Sequence, residues 1–324
     1  MKKVLILTNK KDITADYVVA ELQKRGSDYF RFNTEDFPQK VIGNFSLLKG
    51  KSVMSFQTPK GKIVLNDVGA VWYRRPGKPS ITEINELGMK EFCKKESQEF
   101  LEGLYLNFKG IWISFPPSIF QAQNKLYQLQ TAKDIGFKIP LTTVTNDPQT
   151  ASKFIKNISG TVIAKAVRQG ILKMNKEDYL MFTNPITNED LETISNIRWS
   201  PVILQEFIPK KFDLRITVVG DSVFPVEIHT DPEDMNSQFD WRKANQQKLV
   251  YKIHKLPSKV EILCKKLVNI MNLNFGAIDM VYSEHGGYHF LEINPNGQWV
   301  WIEQKTGLPL TKALVDLLIQ EKKT

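Results

Sequence analysis

Cysteine is scarce: Cys93 and Cys264 are the only two in 324 residues. They lie far apart in polar, helix-like contexts, so no disulfide scaffold can be built, and two lone thiols fit a reducing compartment. Neither has the surroundings of a nucleophile. Histidine is scarce too; His285 and His289 have a zinc-like spacing, but no third ligand accompanies them, and they are expected to bind nothing. No apolar run approaches the roughly 20 residues that span a bilayer. The start, Met1-Lys2-Lys3-Val4-Leu5-Ile6-Leu7, resembles a signal peptide only until polar Thr8-Asn9-Lys10-Lys11-Asp12 follows. A cytoplasmic protein with no membrane partner is expected. Low-complexity tracts and internal repeats are absent as well, which argues against disorder and solenoids.

What is present is a chain 42% apolar and 24% charged, with a net charge of +9. That suffices for one large core or two to three modest ones. The charge favours anionic partners. The lysines are scattered and form no basic arm or aromatic-basic platform, so nucleic acid is not expected.

Val4 to Leu7, a helix from Asp16 to Arg25 stopped by Gly26, and a strand from Tyr29 make a βαβ opening, hence a small α/β domain. Strands are expected over Phe45–Phe56, Lys62–Leu65 and Ala70–Tyr73. A helix is expected over Glu83–Asn107 with Thr82 as its N-cap. Trp112–Phe115 and Pro116-Pro117 mark the exit from this domain. Asn124 caps a helix that ends at Gly136. Further on come a helix over Asp147–Asn157, a strand over Thr161–Val167 and a helical stretch over Asn188–Ile194. The remainder is rich in strands: Val202–Ile208, Asp213–Val219, Val223–His229, Phe275–Tyr282 and Tyr288–Asn294. Helices over Ser258–Met271 and Leu310–Glu321 complete the pattern.

The last two strands carry the strongest chemical signal. If Glu284 to Gly287 form a four-residue loop, Ser283 pairs with Tyr288 and Asp279 falls opposite Glu292 on one face. Asn294 projects to the same face. Opposed carboxylates in apolar strands repel unless a cation sits between them. Magnesium suits such an oxygen site.

Cations occur where anions would want them. Lys165 lies inside the apolar strand Val162–Val167; it is either a phosphate ligand or an edge-strand lysine. Lys125 opens its helix against the dipole, which a bound phosphate would explain and simple exposure would also allow. Asp213, Arg215 and Thr217 share one strand face. Arg215 is then a phosphate clamp or half of a cross-strand ion pair. Gln205-Glu206-Phe207-Ile208 ends a strand and enters a Pro209 linker. Arg242, in Asp240-Trp241-Arg242, either holds a substrate carboxylate or phosphate, or pairs with Asp240. Lys211 and Arg74 are further candidates of this kind.

This order of lysine-led helix, strand lysine, Gln-Glu-Phe-Ile, Asp-x-Arg and Leu-Glu-Ile-Asn-Pro-Asn resembles the ATP-grasp superfamily from Gln121 to Thr324. Phe182–Thr187, Gln205–Gly220, Asp240–Arg242 and Val71–Pro76 resemble the graspetide maturases, the macrocyclases of microviridin, plesiocin and thuringinin type. The resemblance implies an α/β and α+β chain with an ATP-grasp fold behind a small pre-ATP-grasp domain (1–118). A central subdomain with a leader-docking region (119–200) and a C-terminal subdomain with the Mg-ATP site (201–324) would follow. It implies Lys125 and Lys165 on the α/β-phosphates. Gln205, Glu206, Phe207, Ile208, Lys211 and Asp213 would contact the nucleotide, and Asp279, Glu292 and Asn294 would hold Mg2+. Arg215 and Arg242 become the catalytic residues. The implied reaction joins Asp or Glu side chains of a ribosomal precursor peptide, leader plus acidic core, to Ser, Thr or Lys. A homodimer is implied as well. The phosphate-covering loop departs from generic ATP-grasp enzymes, with only Gly170 in Ala166–Lys173. An amino-acid ligase of RimK type and a non-catalytic nucleotide-binding scaffold are the rival readings.

Overall fold

A computed structural model describes residues 2–168, 171–174, 177–234 and 237–320. Gln169 and Gly170 of the phosphate-covering loop, and the Glu321 end expected for the last helix, lie outside them. The chain forms two compact units. One is Met1–Ile119 with Asn272–Phe275 and Gln298–Thr324; the other is Phe120–Met271 with Gly276–Gly297.

In the first unit, β1 (Lys3–Thr8), α1 (Ile13–Lys24) and β2 (Tyr29–Asn33) form the βαβ opening. A small antiparallel sheet follows: β3 (Ile42–Leu48), β4 (Lys51–Thr58) and β5 (Gly61–Val64). β6 (Val68–Tyr73), α2 (Leu87–Asn107) and β7 (Ile111–Ile113) complete a parallel sheet ordered β2-β1-β6-β7. Leu5, Ile6 and Leu7 are fully buried in it. α2 begins later than its sequence suggests. The Glu86 carboxylate, not Thr82, caps it by accepting from the N–H groups of Gly88 and Met89, while Thr82 donates to Gln39. A two-oxygen cap satisfies two of the helix's free donors at once.

Arg74 is consumed inside this unit. It is fully buried, 3.2 Å from the Asp12 carboxylate and 5.3 Å over the Trp299 ring. Burial lowers its pKa to about 10. Residues from 298 onward, grouped by sequence with 201–297, pack here instead. The buried stripe Leu310, Leu314, Val315 and Leu318 lies on α1 and β6.

The second unit is entered through a helix, α3 (Pro116–Ala122), and continues with α4 (Lys125–Ile135). The Asn124 side chain accepts from the Tyr127 N–H at 3.1 Å, and Gly136, at φ 105°, closes α4 in the left-handed region. β8 (Thr142–Thr145), α5 (Pro148–Asn157), β9 (Val162–Ala166), the hairpin β10 (Ile171–Met174) and β11 (Glu177–Leu180), β12 (Asn184–Pro185), α6 (Asn188–Glu192) and β13 (Val202–Glu206) follow. The antiparallel sheet here is ordered β12-β9-β13-β8. A five-stranded sheet then uses β14 (Lys210–Val219), β15 (Ser222–His229), β16 (Val250–Ile253), β17 (Phe275–Ser283) and β18 (Tyr288–Asn294), with α7 (Ser258–Ile270) before β17. Its order is β16-β15-β14-β17-β18. Leu214, Ile216 and Val218 are buried beneath α7, which leaves the Asp213, Arg215 and Thr217 face for other work. Among the described residues, no helix is long and apolar enough to cross a membrane.

Candidate active site

Asp279 stands opposite Glu292, but not by the expected route. The hairpin is one residue longer than a four-residue loop: Tyr282 pairs with Tyr288, Val281 with His289 and Met280 with Phe290. That register alone would put Asp279 opposite Leu291. A β-bulge between Asp279 and Met280 absorbs the extra residue, and Asp279 meets Glu292 after all. Gly286 and Gly287, at φ 83° and 103°, supply the left-handed turn. The Asn294 amide reaches both carboxylates, at 3.0 Å from Asp279 and 3.4 Å from Glu292.

Each carboxylate already holds a cation. Arg215 binds both Asp279 oxygens through one terminal nitrogen, at 2.6 and 2.5 Å. Lys125 stands 3.0 Å from Glu292. Arg215 thus does form the cross-strand pair that was its alternative reading. The two carboxyls titrate apart. Burial, opposed by Arg215 and helped by the Glu292 charge, raises Asp279 to about 6. Burial also acts against ionised Glu292, but Lys125 overrides it and holds that group at about 2. The Nε–H of Arg215 is buried and makes no hydrogen bond to a described residue, so the site offers a donor that an anion would satisfy.

Lys165 is not an edge-strand residue, since β9 lies between β12 and β13. Its ammonium donates to Gln205 at 2.7 Å, and Gln205 in turn donates to Thr142 at 2.8 Å. Burial pushes Lys165 down to about 8, with the Glu292 charge opposing. Asp213 is raised by burial against the pull of Lys210. Lys210, which the sequence reading passed over, is its partner at 2.7 Å. Lys211 is exposed, with its ammonium 5.9 Å from the centre of the Tyr282 ring. Arg242 does pair with Asp240, at 2.6 Å. Asp240 raises its pKa, and the Glu292 and Asp279 charges add to the effect. At the end of β13, the Glu206 N–H donates to Leu141 and the Phe207 N–H to Thr161, each at 2.8 Å. Phe207 packs on Phe239, and Ile208 is half-buried.

A second overlooked residue holds the site in place. β18 is an edge strand, and Gln128 of α4 supplies what a further strand would. Its amide donates to the Ile293 carbonyl at 2.8 Å and accepts from the Ile293 N–H at 3.1 Å. Ile293 lies between Glu292 and Asn294, so the clamp fixes both. Gln128→Leu is expected to cost about 2 kcal/mol, because two buried backbone groups lose their partner. A thermal melt lowered by several degrees checks it.

The donor set fits magnesium. Among the described residues no group of three or more His, Cys, Asp and Glu side chains suits a metal. Two carboxylates remain, beside an Asn294 amide whose Nδ2 donates to both and whose oxygen would have to turn toward a metal, and magnesium usually takes one or two carboxylates with water and substrate phosphates.

Comparison with known proteins identifies the fold as that of an ATP-grasp ligase. The family model of the MvdD pre-ATP grasp domain matches residues 3–118, and that of the RimK-like ATP-grasp domain matches residues 122–318. The chain belongs to the RimK-like ATP-grasp family. It is similar to the Chryseobacterium gregarium RiPP-associated ATP-grasp ligase, solved with ADP and a leader and core peptide. Identity is 31% over 98% of this chain and 96% of that one, with a TM-score of 0.91. Macrocyclase MdnC of Microcystis aeruginosa, solved with precursor peptide MdnA, is 28% identical over 98% and 100% of the two chains, at a TM-score of 0.87. A Shewanella baltica protein described as "Probable alpha-L-glutamate ligase 1" is 26% identical over 204 residues, 62% of this chain. The chain spans 64% of that curated relative's length.

Proposed function

We propose that the chain is an ATP-dependent, ADP- and phosphate-forming ligase that macrocyclises a ribosomal precursor peptide. The observation that carries this is the convergence of Asp279, Glu292 and Asn294 with Lys125, Lys165 and Arg215. Paired carboxylates beside buried Arg215 and half-buried Lys125 and Lys165 form a site for a polyphosphate and its metal. Similarity to peptide-bound ligases along nearly the whole chain supports a peptide as the substrate.

In the reaction, an Asp or Glu carboxylate of the peptide attacks the γ-phosphorus and ADP leaves. A Thr or Ser hydroxyl, or a Lys amine, of the same peptide then attacks the acyl phosphate. Phosphate leaves with the carboxyl oxygen, and an ω-ester or ω-amide remains. The peptide loses one water per ring. Lys125 and Lys165 hold the α/β-phosphates. Gln205, Glu206, Phe207 and Ile208 surround the base, and Asp213 is kept in place by Lys210. Arg215 and Arg242 stabilise charge spreading over the transferred phosphoryl oxygens or hold the attacking carboxylate. A magnesium ion on Asp279, Glu292 and Asn294 would supply further charge neutralisation there. Positioning supplies much of the rest. The +9 charge favours capture of an acidic core peptide. We read the enzyme as a cytoplasmic homodimer, which light scattering in solution tests.

The deciding experiment is mass spectrometry of a candidate precursor peptide, with leader and acidic core, incubated with enzyme and Mg-ATP. Loss of one water per ring, with ADP released, supports macrocyclisation. Added glutamate masses would instead favour amino-acid ligation, the activity named for the curated relative. ATP binding without ADP release would favour a scaffold.

Lys165 gives a pH dependence. Its lowered pKa, about 8, means it is charged below pH 8 and neutral above. A bound phosphate would raise that pKa. ADP affinity is therefore expected to fall by up to about tenfold per pH unit above 8, as read by calorimetry. In Lys165→Met, affinity should be weak and this slope absent.

A further inference from the structure

The parallel sheet of the first unit reverses its direction of growth between β1 and β6. From β1 the chain crosses through α1 to β2 on one side, and from β6 it crosses through α2 to β7 on the other. The loops that follow β1 and β6 therefore part. Open α/β sheets bind ligands in the crevice that such a switch point leaves at the carboxyl ends of the strands. A cavity of about 460 Å³ lies there, and all of its lining belongs to the first unit. Asn9 and Lys11, just after β1, and Arg75, just after β6, line it together with Ile13, Gln298 and Trp301. Its volume falls in the range of about 300–1,000 Å³ common for ligand sites.

One amide builds the basic rim. The Asn9 side chain donates to the Arg75 carbonyl at 2.7 Å and accepts from the Lys11 N–H at 2.9 Å, which ties the two loops together. Arg75 stands at φ 45°, in the left-handed region that a non-glycine residue enters only at a cost. Arg74 is turned inward to Asp12 and Trp299, whereas Arg75 is exposed on the cavity. The acids nearby are answered elsewhere. Asp12 lies 3.2 Å from Arg74 and accepts from the Thr8 hydroxyl and the Thr14 N–H; Asp16 pairs with Arg31, and Asp36 with Lys10. Lys11 is exposed and enters no ion pair with a described residue. Ile13, 67% exposed, and Trp301 give the cavity an apolar side, and Gln298 adds an exposed amide.

We propose that this cavity is a second site for the peptide, in which Lys11 and Arg75 hold an Asp or Glu side chain other than the one being activated. This rests on the ATP-ligase reading above. The lining shares no residue with the nucleotide cluster, so the acid held here is not the one that reacts. A carboxylate is the planar oxyanion that a guanidinium binds through two parallel hydrogen bonds. The Gln298 amide suits a peptide backbone, and Ile13 with Trp301 suits the aliphatic part of neighbouring side chains. A free phosphate would use the two cations and leave the amide and the apolar side idle.

Fluorescence anisotropy tests this, with Mg-ADP present so that the cations of the nucleotide cluster are occupied. The probes are a labelled, blocked hexapeptide of alternating Glu and Thr and its counterpart of alternating Gln and Thr. The wild type should prefer the Glu peptide. In the double variant Lys11→Met, Arg75→Gly, affinity for the Glu peptide should fall about tenfold, a few-fold from each partly solvated contact. The Gln peptide should change less than twofold. Glycine accepts φ 45° without strain, so the turn survives the loss of the guanidinium. Lys259→Met with Lys266→Met removes the same charge from exposed positions of α7 and should change neither probe more than twofold. Equal loss in the two double variants would trace the effect to bulk charge and overturn the inference, as would no loss in the cavity variant. Displacement of the Glu peptide by an equal concentration of free glutamate overturns the choice of a peptide as ligand. If the cavity variant fails to fold in a thermal melt, Lys11→Met alone, at an exposed position, carries the comparison. A wild type that binds Mg-ADP without preferring the Glu peptide overturns only this inference. One that binds no Mg-ADP in calorimetry overturns the ligase reading with it.

Discussion

Arg215→Ala is expected to slow ATP-dependent ring closure by about 10³-fold or more, with the fold intact. Arg215 sits on a rigid central strand, its side chain 10% exposed, and its Nε–H makes no hydrogen bond to a described residue. A donor fixed in this way costs no reorganisation when negative charge develops nearby, which is why its removal falls on the rate. Glu292→Gln should lose activity on the same scale by a different route, through the ligand set opposite Asp279. Loss of water from the peptide, followed over time, reads both. Ring closure at the wild-type rate in either variant would sink the site assignment.

The same substitution has a stability signature. Asp279 is pushed up to about 6 even with Arg215 beside it. Without the guanidinium it should rise further. A carboxyl whose folded pKa lies above its unfolded value is most favourable to folding when protonated. Stability is then lost as pH climbs from the unfolded value through the folded one. The melting temperature of Arg215→Ala should therefore fall more steeply than that of the wild type between about pH 4 and pH 7.

How much of this was legible in the sequence depended on how regular each segment is. The βαβ opening, α4 with its Asn124 cap and Gly136 stop, and the alternating Asp213–Thr217 strand obey their periods, and all could be read directly. The hairpin did not. Counting a four-residue loop led to the right pair for an incomplete reason, because the longer loop and the bulge cancel. A signal was present: Phe290 and Ile293, the two core residues of β18, are three apart where a regular strand would space them by two. Extending alternation back from Asp213 selects Lys211, yet Lys210 makes the ion pair. The strand is only just beginning after Pro209, and a long side chain reaches three residues along. Gln128 left no trace, since nothing in a helix's own pattern says that one residue will serve as the edge of a sheet.

The charge arrangement also fixes how ligands must arrive. Nucleotide binding is expected to tighten about 100-fold in magnesium, and magnesium to bind poorly without nucleotide. Each of the two candidate metal-binding carboxylates is tied to a candidate phosphate cation: Glu292 to Lys125 at 3.0 Å, and Asp279 to Arg215 at 2.5 Å. A phosphate that drew Lys125 and Arg215 away would leave two opposed, half-buried carboxylates. A cation that drew the carboxylates away would leave Lys125 and Arg215 without their counter-charges. Either half-exchange strands charge that is partly or wholly removed from water, and both are therefore unfavourable. Only the complete exchange satisfies all four side chains. By reciprocity, the factor by which magnesium strengthens ADP binding must equal the factor by which ADP strengthens magnesium binding. Calorimetric titration of ADP with and without chelator, and of magnesium with and without ADP, measures both. Equal ADP affinity under the two conditions would show that the ion pairs do not govern binding. Glu292→Gln, which unties Lys125, should lower the coupling sharply while leaving metal-free ADP binding unchanged or tighter.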